Sequence, residues 1–312
     1  MCCKRFYFSL FIVFFFISAI AQDSTLEVKK LFVEADTIVH TYSNQIDSVE
    51  IAERISSREY FHLLKEDFIS QVKSPITSTS KQWKKAAWWL SGVSIALMAD
   101  RGIGGKMQEW KQQSTIIQKW SPRITHLGSY TGLFVLGAVG LTGVISRNKK
   151  LKTTVLLSAQ SFITASAWTL FFKSITGRSR PDFLNHWRGP GYFFKAPADV
   201  QKSSWEYNSF PSGHTSTIFS IATVFARQYK NKPLIAIACY TTASLVGLTR
   251  IIENRHWASD VIAGAGLGYF CGTIVMNNFK KLAQKKVGMD RKRSVNFDTL
   301  LSGNSAHLYV NF

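Results

Sequence analysis

Residues 250–260 read RIIENRHWASD, and residues 261–279 continue VIAGAGLGYFCGTIVMNNF. The first stretch carries Arg250, His256 and Asp260; the second has no charge over nineteen residues and is rich in Gly and Ala. An uncharged run of that length is what a membrane-spanning helix requires. Small residues let such a helix approach its neighbours closely. A charged, histidine-bearing turn feeding an apolar helix is therefore the unit to look for elsewhere in the chain.

It recurs. Apolar segments run over about Ala86–Ala99, Leu127–Ser146, Thr153–Phe172, Ser212–Ala226, Pro233–Thr249 and Val261–Phe279. The pattern predicts an all-α, multi-helix bundle with about six membrane-spanning helices and an active site at one end. A soluble bundle of buried helices is the alternative that composition leaves open. Residues 103–125 are amphipathic, with Trp110 and Trp120, as an interfacial helix would be. The final HLYVNF alternates like a strand, but one strand does not make a barrel.

The chain of 312 residues carries 38 Lys and Arg against 19 Asp and Glu, a formal charge of +19. That excess suits anionic membranes or phosphorylated substrates. The basic residues fall in short clusters between apolar runs, without a nucleic-acid module, so no nucleic acid is expected as partner. Residues 1–21 read as a signal peptide: Lys4 and Arg5, an apolar run from Phe6 to Ile17, then Ala19-Ile20-Ala21. Residues 22–80 form a polar N-terminal extension ending in a linker-like Ser74–Ser80, 81–280 the helical bundle, and 281–312 a basic tail. Cys2 and Cys3 precede the apolar run, which argues against a lipid anchor. Cys239 and Cys271 are expected as small core residues rather than a disulfide.

Orientation is contested by two rules. Arg147–Lys152, Arg227–Lys232 and Lys280–Arg293 cluster at one end, which the positive-inside rule makes cytoplasmic, and the motifs then face outward. A cleaved signal followed by six spans would face them inward. The charge rule and a soluble bundle both put the site outside the cytoplasm, and that is the expectation.

Two further stretches carry chemistry. In KSITGRSRP (173–181), Lys173 and Arg180 make a phosphate clamp, a point charge and a fork that grips two oxygens. Taken alone the stretch reads more readily as a lysine snorkelling at a helix end with basic residues at a membrane surface. In PSGH (211–214), Pro211 suits a first helical turn, and Ser212 and Gly213 offer a hydroxyl and an approachable backbone to an anion. His214 can protonate a leaving alkoxide; alone, PSGH is also a plain helix cap. Arg250 adds a third cation. The spacing of His256 and Asp260 places both on one helix face, where the carboxylate accepts a ring proton and frees the other nitrogen for attack. A surface ion pair among Arg255, Glu253 and Asp260 is the competing reading.

Jointly, KSITGRSRP, PSGH and RIIENRHWASD resemble the three-part signature of the type 2 phosphatidic acid phosphatase superfamily over about residues 82–280. That superfamily includes lipid phosphate phosphatases, bacterial nonspecific acid phosphatases and vanadium haloperoxidases. Thr249 stands where it usually has Ser before the arginine, and a hydroxyl is retained. The resemblance implies His256 as nucleophile, Asp260 as its orienting carboxylate and His214 as general acid. Lys173, Arg180, Ser212, Gly213 and Arg250 would hold the phosphoryl oxygens. No metal and no cofactor are implied. The expected activity is metal-independent hydrolysis of a membrane lipid phosphate or diphosphate through a phosphohistidine. Prenyl diphosphate, phosphatidylglycerol phosphate, phosphatidate and lipid A are the candidate lipids, at the periplasmic face of a bacterial inner membrane. The alternative is a soluble periplasmic acid phosphatase of broad specificity.

Overall fold

The computed structural model describes residues 55–183, 207–293, 297–302 and 305–310. The signal-peptide reading, Cys2, Cys3 and residues 184–206 lie outside these residues. The described chain forms eight α-helices: α1 (Ser57–Thr77), α2 (Ser80–Gln113), α3 (Thr115–Thr125), α4 (Tyr130–Ile145), α5 (Lys149–Thr176), α6 (Gly213–Gln228), α7 (Pro233–Ile252) and α8 (Ala258–Arg293). Short 3₁₀ turns at His126–Gly128 and Pro181–Phe183 punctuate them. The expected all-α bundle is what forms. Beyond α8, strands β1 (Phe297–Ser302) and β2 (Ser305–Val310) pair antiparallel, with Phe297 opposite Val310.

Local sequence starts the helices where they start. Ser56 and Glu59 cap α1 reciprocally, and Thr79 and Gln82 do the same for α2. The linker expected at Ser74–Ser80 thus shrinks: Ser74 to Thr77 complete the last turn of α1, and α2 begins at Ser80. The amphipathic stretch 103–125 is not one helix. It breaks at Ser114, whose hydroxyl accepts the Ile117 N–H and opens α3.

Among the described residues three helices, α5, α7 and Ala258–Lys286 of α8, are long and apolar enough to cross a membrane. Thr115–Gly128 with Thr131–Ile145, bent by 61°, adds a fourth if the pair is one span. The remaining expected segments are helical too. Ser212–Ala226 coincides with α6, only 16 residues long, and Ala86–Ala99 lies within the charge-flanked 34-residue α2.

α6 sits at the centre, packed on α5, α7 and α8. Its closest neighbour is α8, and glycine makes that possible. A Cβ on Gly264, Gly268 or Gly272 would fall 2.6, 2.2 or 2.7 Å from the backbone oxygens of Ser212, Ser216 and Ser220. Both helices thus present rows spaced by four residues, and their backbones touch along them. Cys239 and Cys271 are buried free thiols, as expected. The polar α1, in which the sequence showed no chemistry, docks on α5 and α8 and buries Asp67 and Gln71.

Candidate active site

The site is assembled at the ends of α5, α6 and α7 and the start of α8. Lys173 lies in the last turn of α5, and Gly177 ends that helix with φ 50°, a left-handed conformation that glycine adopts without strain. The chain leaves through Arg178, Ser179 and Arg180, all buried. The Arg178 carbonyl accepts the Ser209 N–H at 3.0 Å, which ties this exit to the segment leading into α6.

Pro211 follows a cis peptide and lies before the N-cap, rather than in the first helical turn as expected. The N-cap is Ser212. Its N–H donates to the Asp260 carbonyl at 3.0 Å, and its hydroxyl accepts from Thr215 at 2.9 Å. Lys173 reaches this helix start: a Cβ on Gly213 would sit 3.9 Å from the lysine Nζ. His214 comes next and packs against the His126–Gly128 turn, where a Cβ on Gly128 would lie 2.8 Å from the His214 Cβ. The charges of Arg250, Lys173 and Arg180 and the His256 ring all bear on His214.

Arg250, in the last turn of α7, is fixed from its flank. Its Nη1 donates to Thr125 Oγ1 at 2.9 Å and lies 3.4 Å from Glu253 Oε2. Gln108 donates to the carbonyls of Ile251 and Ile252, satisfying acceptors that a helix end leaves open. Asn254, with φ 58°, then reverses the chain. The Arg255 and His256 amides fold back onto the Arg250 carbonyl.

His256 differs from its expected setting. It precedes α8, so it and Asp260 share a turn rather than a helix face. Its Nδ1 lies 2.8 Å from the Ser209 carbonyl oxygen and 3.6 Å from Asp260 Oδ2. A carbonyl only accepts, so Nδ1 carries the proton and Nε2 is left bare. Burial holds the ring well below the ordinary histidine value, at about 3, and the Lys173 and Arg250 charges push the same way against the pull of Asp260. The imidazole is neutral at neutral pH.

Asp260 is fully buried and saturated. Oδ2 accepts the Ser209 hydroxyl at 2.5 Å and the Trp257 N–H at 2.9 Å, while Oδ1 accepts Arg178 Nη1. The competing surface ion pair does not form. Arg255 pairs with Asp182, Glu253 with Arg250 and Asp260 with Arg178. Among the described residues no group of three His, Cys, Asp or Glu side chains could hold a metal ion.

All eight expected residues, Lys173, Arg180, Ser212, Gly213, His214, Arg250, His256 and Asp260, therefore belong to one neighbourhood. Sequence reading missed Ser209, Thr125, Arg178 and Asp100. Arg178 was in view, two residues before Arg180. Asp100 was a lone carboxylate closing an apolar segment.

The described residues thus form an all-α bundle with membrane-length helices that gathers three cations and two histidines at helix ends. Residues 154–284 of the chain match the family model described as PAP2 superfamily. Over 68 residues, 22% of this chain and 15% of the relative, it is 50% identical to a lipid A 1-phosphatase of Porphyromonas gingivalis. Over 96 residues, 31% of this chain and 36% of the relative, it is 36% identical to a lipid A 1-phosphatase of Rhizobium johnstonii. The chain thus spans only a minor part of these relatives' lengths. Among solved structures, Aquifex aeolicus LpxE superposes with a TM-score of 0.42 at 23% identity, covering 57% of this chain and 94% of that one.

Proposed function

We propose that the protein is a phosphatase acting on a phosphate monoester of a membrane lipid, lipid A 1-phosphate foremost, through a phosphohistidine intermediate. The observation that carries this reading is the gathering of Lys173, Arg180, Arg250, His214 and His256 at one end of membrane-length helices. The curated relatives, named lipid A 1-phosphatases, support the substrate class.

The chemistry follows from the donors. Lys173, Arg180 and Arg250, with the Ser212 hydroxyl and the N–H groups opening α6, hold the equatorial phosphoryl oxygens. His256 Nε2 attacks phosphorus. The P–N bond forms as the P–O bond to the lipid breaks, and His214 gives a proton to the departing alkoxide. Water then attacks the phosphohistidine, losing its proton to His214. The P–N bond breaks, inorganic phosphate leaves, and both rings return to their starting states. The Ser209 carbonyl holds the Nδ1 proton throughout, so the positive charge that develops on the ring is met by a dipole and by Asp260 nearby. Fixed charges aimed at the transferring group are the usual source of such catalysis, and here side chains supply them. The site would face the periplasm from the inner membrane of a bacterial envelope.

Phosphate release by purified, detergent-solubilised protein, with EDTA present, tests the reading. Lipid A 1-phosphate should be hydrolysed by the wild type and not by His256→Ala. Release from small soluble esters alone would overturn the lipid assignment.

A further inference from the structure

Beyond Asp260 runs a buried network of charge, through Arg178 to Asp100, that the proposed reaction does not itself use. Arg178 Nη1 donates to Asp260 Oδ1 at 2.5 Å and to Ser259 Oγ at 2.7 Å; its Nη2 donates to Asp100 Oδ2 at 2.7 Å. Asp100, from α2, also accepts the Ser259 N–H at Oδ1, 2.9 Å, and the Ser259 hydroxyl at Oδ2, 2.6 Å. The Trp257 ring covers the guanidinium, with 5.5 Å from its centroid to Cζ. Arg178, Asp100, Ser259 and Asp260 are all at most 4% exposed.

We infer that Arg178, clamped by Asp100, is a positioning residue that fixes the Asp260 carboxylate and, through it, the Ser209 carbonyl that aims His256. This rests on the phosphatase reading. The links are direct. Arg178 occupies Asp260 Oδ1, which leaves Oδ2 to take the Ser209 hydroxyl, and the same Ser209 presents its carbonyl to His256 Nδ1. The Ser209 N–H also bonds the Arg178 carbonyl, so both ends of the link start from one arginine. Stability alone is a poor reason for the arrangement, because two carboxylates and one guanidinium lose more solvation on burial than a hydrophobic cluster would. A planar fork bridges two carboxylates at fixed angles; an ammonium does not. The triad thus transmits the position of α2 to the catalytic turn, and Asp100 acts on the reaction without touching substrate.

The test is steady-state turnover of p-nitrophenyl phosphate and lipid A 1-phosphate by the full chain in detergent, with thermal melting of every variant. Arg178→Gln should lower kcat by about 100-fold, the loss expected when a catalytic group shifts by an ångström, and leave KM close to wild type. Arg178→Lys should restore part of kcat, by re-forming one of the two ion pairs. Asp100→Asn should give a smaller loss, and the Arg178→Gln/Asp100→Asn double variant should be no slower than Arg178→Gln alone, because both changes act through one link. Should Arg178→Gln fail to fold, Arg178→Lys and Asp100→Asn carry the comparison. Wild-type kcat in these variants, a loss confined to KM, or fully additive losses would overturn the positioning role alone. A wild type that hydrolyses neither substrate would overturn the phosphatase reading and this one with it.

Discussion

The Nδ1 of His256 lies closer to the backbone carbonyl of Ser209, at 2.8 Å, than to the Asp260 carboxylate, at 3.6 Å. The tautomer of the proposed nucleophile is therefore set by main chain. Asp260 contributes by holding Ser209 and by its charge. This separates two variants that a simple His–Asp dyad would not. His256→Ala should abolish turnover. Asp260→Asn should retain a measurable rate, about 100-fold below wild type, because the carbonyl still selects the reactive tautomer. Single-turnover trapping of the phosphoenzyme checks both, and equal losses would return the orienting role to the carboxylate.

His214, in the first turn of α6 beside Ser212 and Gly213, is the proposed general acid for the leaving group. A general acid matters in proportion to the basicity of the group that departs. His214→Ala should cost about 10² to 10⁴-fold on a lipid alkoxide ester, and much less on p-nitrophenyl phosphate, whose phenolate leaves unaided. The ratio of kcat/KM for the two substrates reads this out; an unchanged ratio would remove the role.

The glycine row on α8 predicts a structural lesion with a catalytic readout. A Cβ at residue 268 would sit 2.2 Å from the Ser216 backbone oxygen, so Gly268→Ala must push α6 from α8. Overpacking of this kind costs about 1–3 kcal/mol. The same displacement separates Ser212 from Asp260, whose backbones are hydrogen-bonded at 3.0 Å. Both the melting temperature and kcat should fall. Gly92, with open space around it, is the control, and Gly92→Ala should change neither.

What the sequence made legible, and what it hid, divides along sequence separation. Lys173, Arg180, Ser212, His214, Arg250 and His256 lie in short motifs whose residue types announce anion binding, and their helices follow from uncharged runs. Their supports come from afar. Asp100 meets Ser259 across 159 positions, and Thr125 meets Arg250 across 125. No local pattern encodes such pairs. The i to i+4 spacing of His256 and Asp260 suggested a shared helix face, yet α8 begins only at Ala258. Proximity was legible there, and its geometry was not. α1 was misleading in the opposite sense, because its buried face is polar and shows no strong apolar period.

That polar face supplies a pH-dependent feature. Asp67 is fully buried, with Oδ1 accepting from Asn278 Nδ2 at 2.9 Å. Burial pushes its carboxyl up to about 7, the neighbouring Glu66 adds to the rise, and the Asn278 hydrogen bond opposes it. An unfolded chain would give this group an ordinary carboxylate value near about 4. Between those limits the folded protein binds more protons than the unfolded chain, so stability falls as pH rises through the window. The contribution is complete on the acid side and lost above about pH 7, where a charge must be buried in the α1–α8 contact. Asp67→Asn cannot ionise. Its melting temperature should change less than that of wild type between about pH 4 and pH 7, the window set by the two protonation limits, and exceed wild type at the alkaline end. Identical pH slopes for the two proteins would show that Asp67 is not the group responsible.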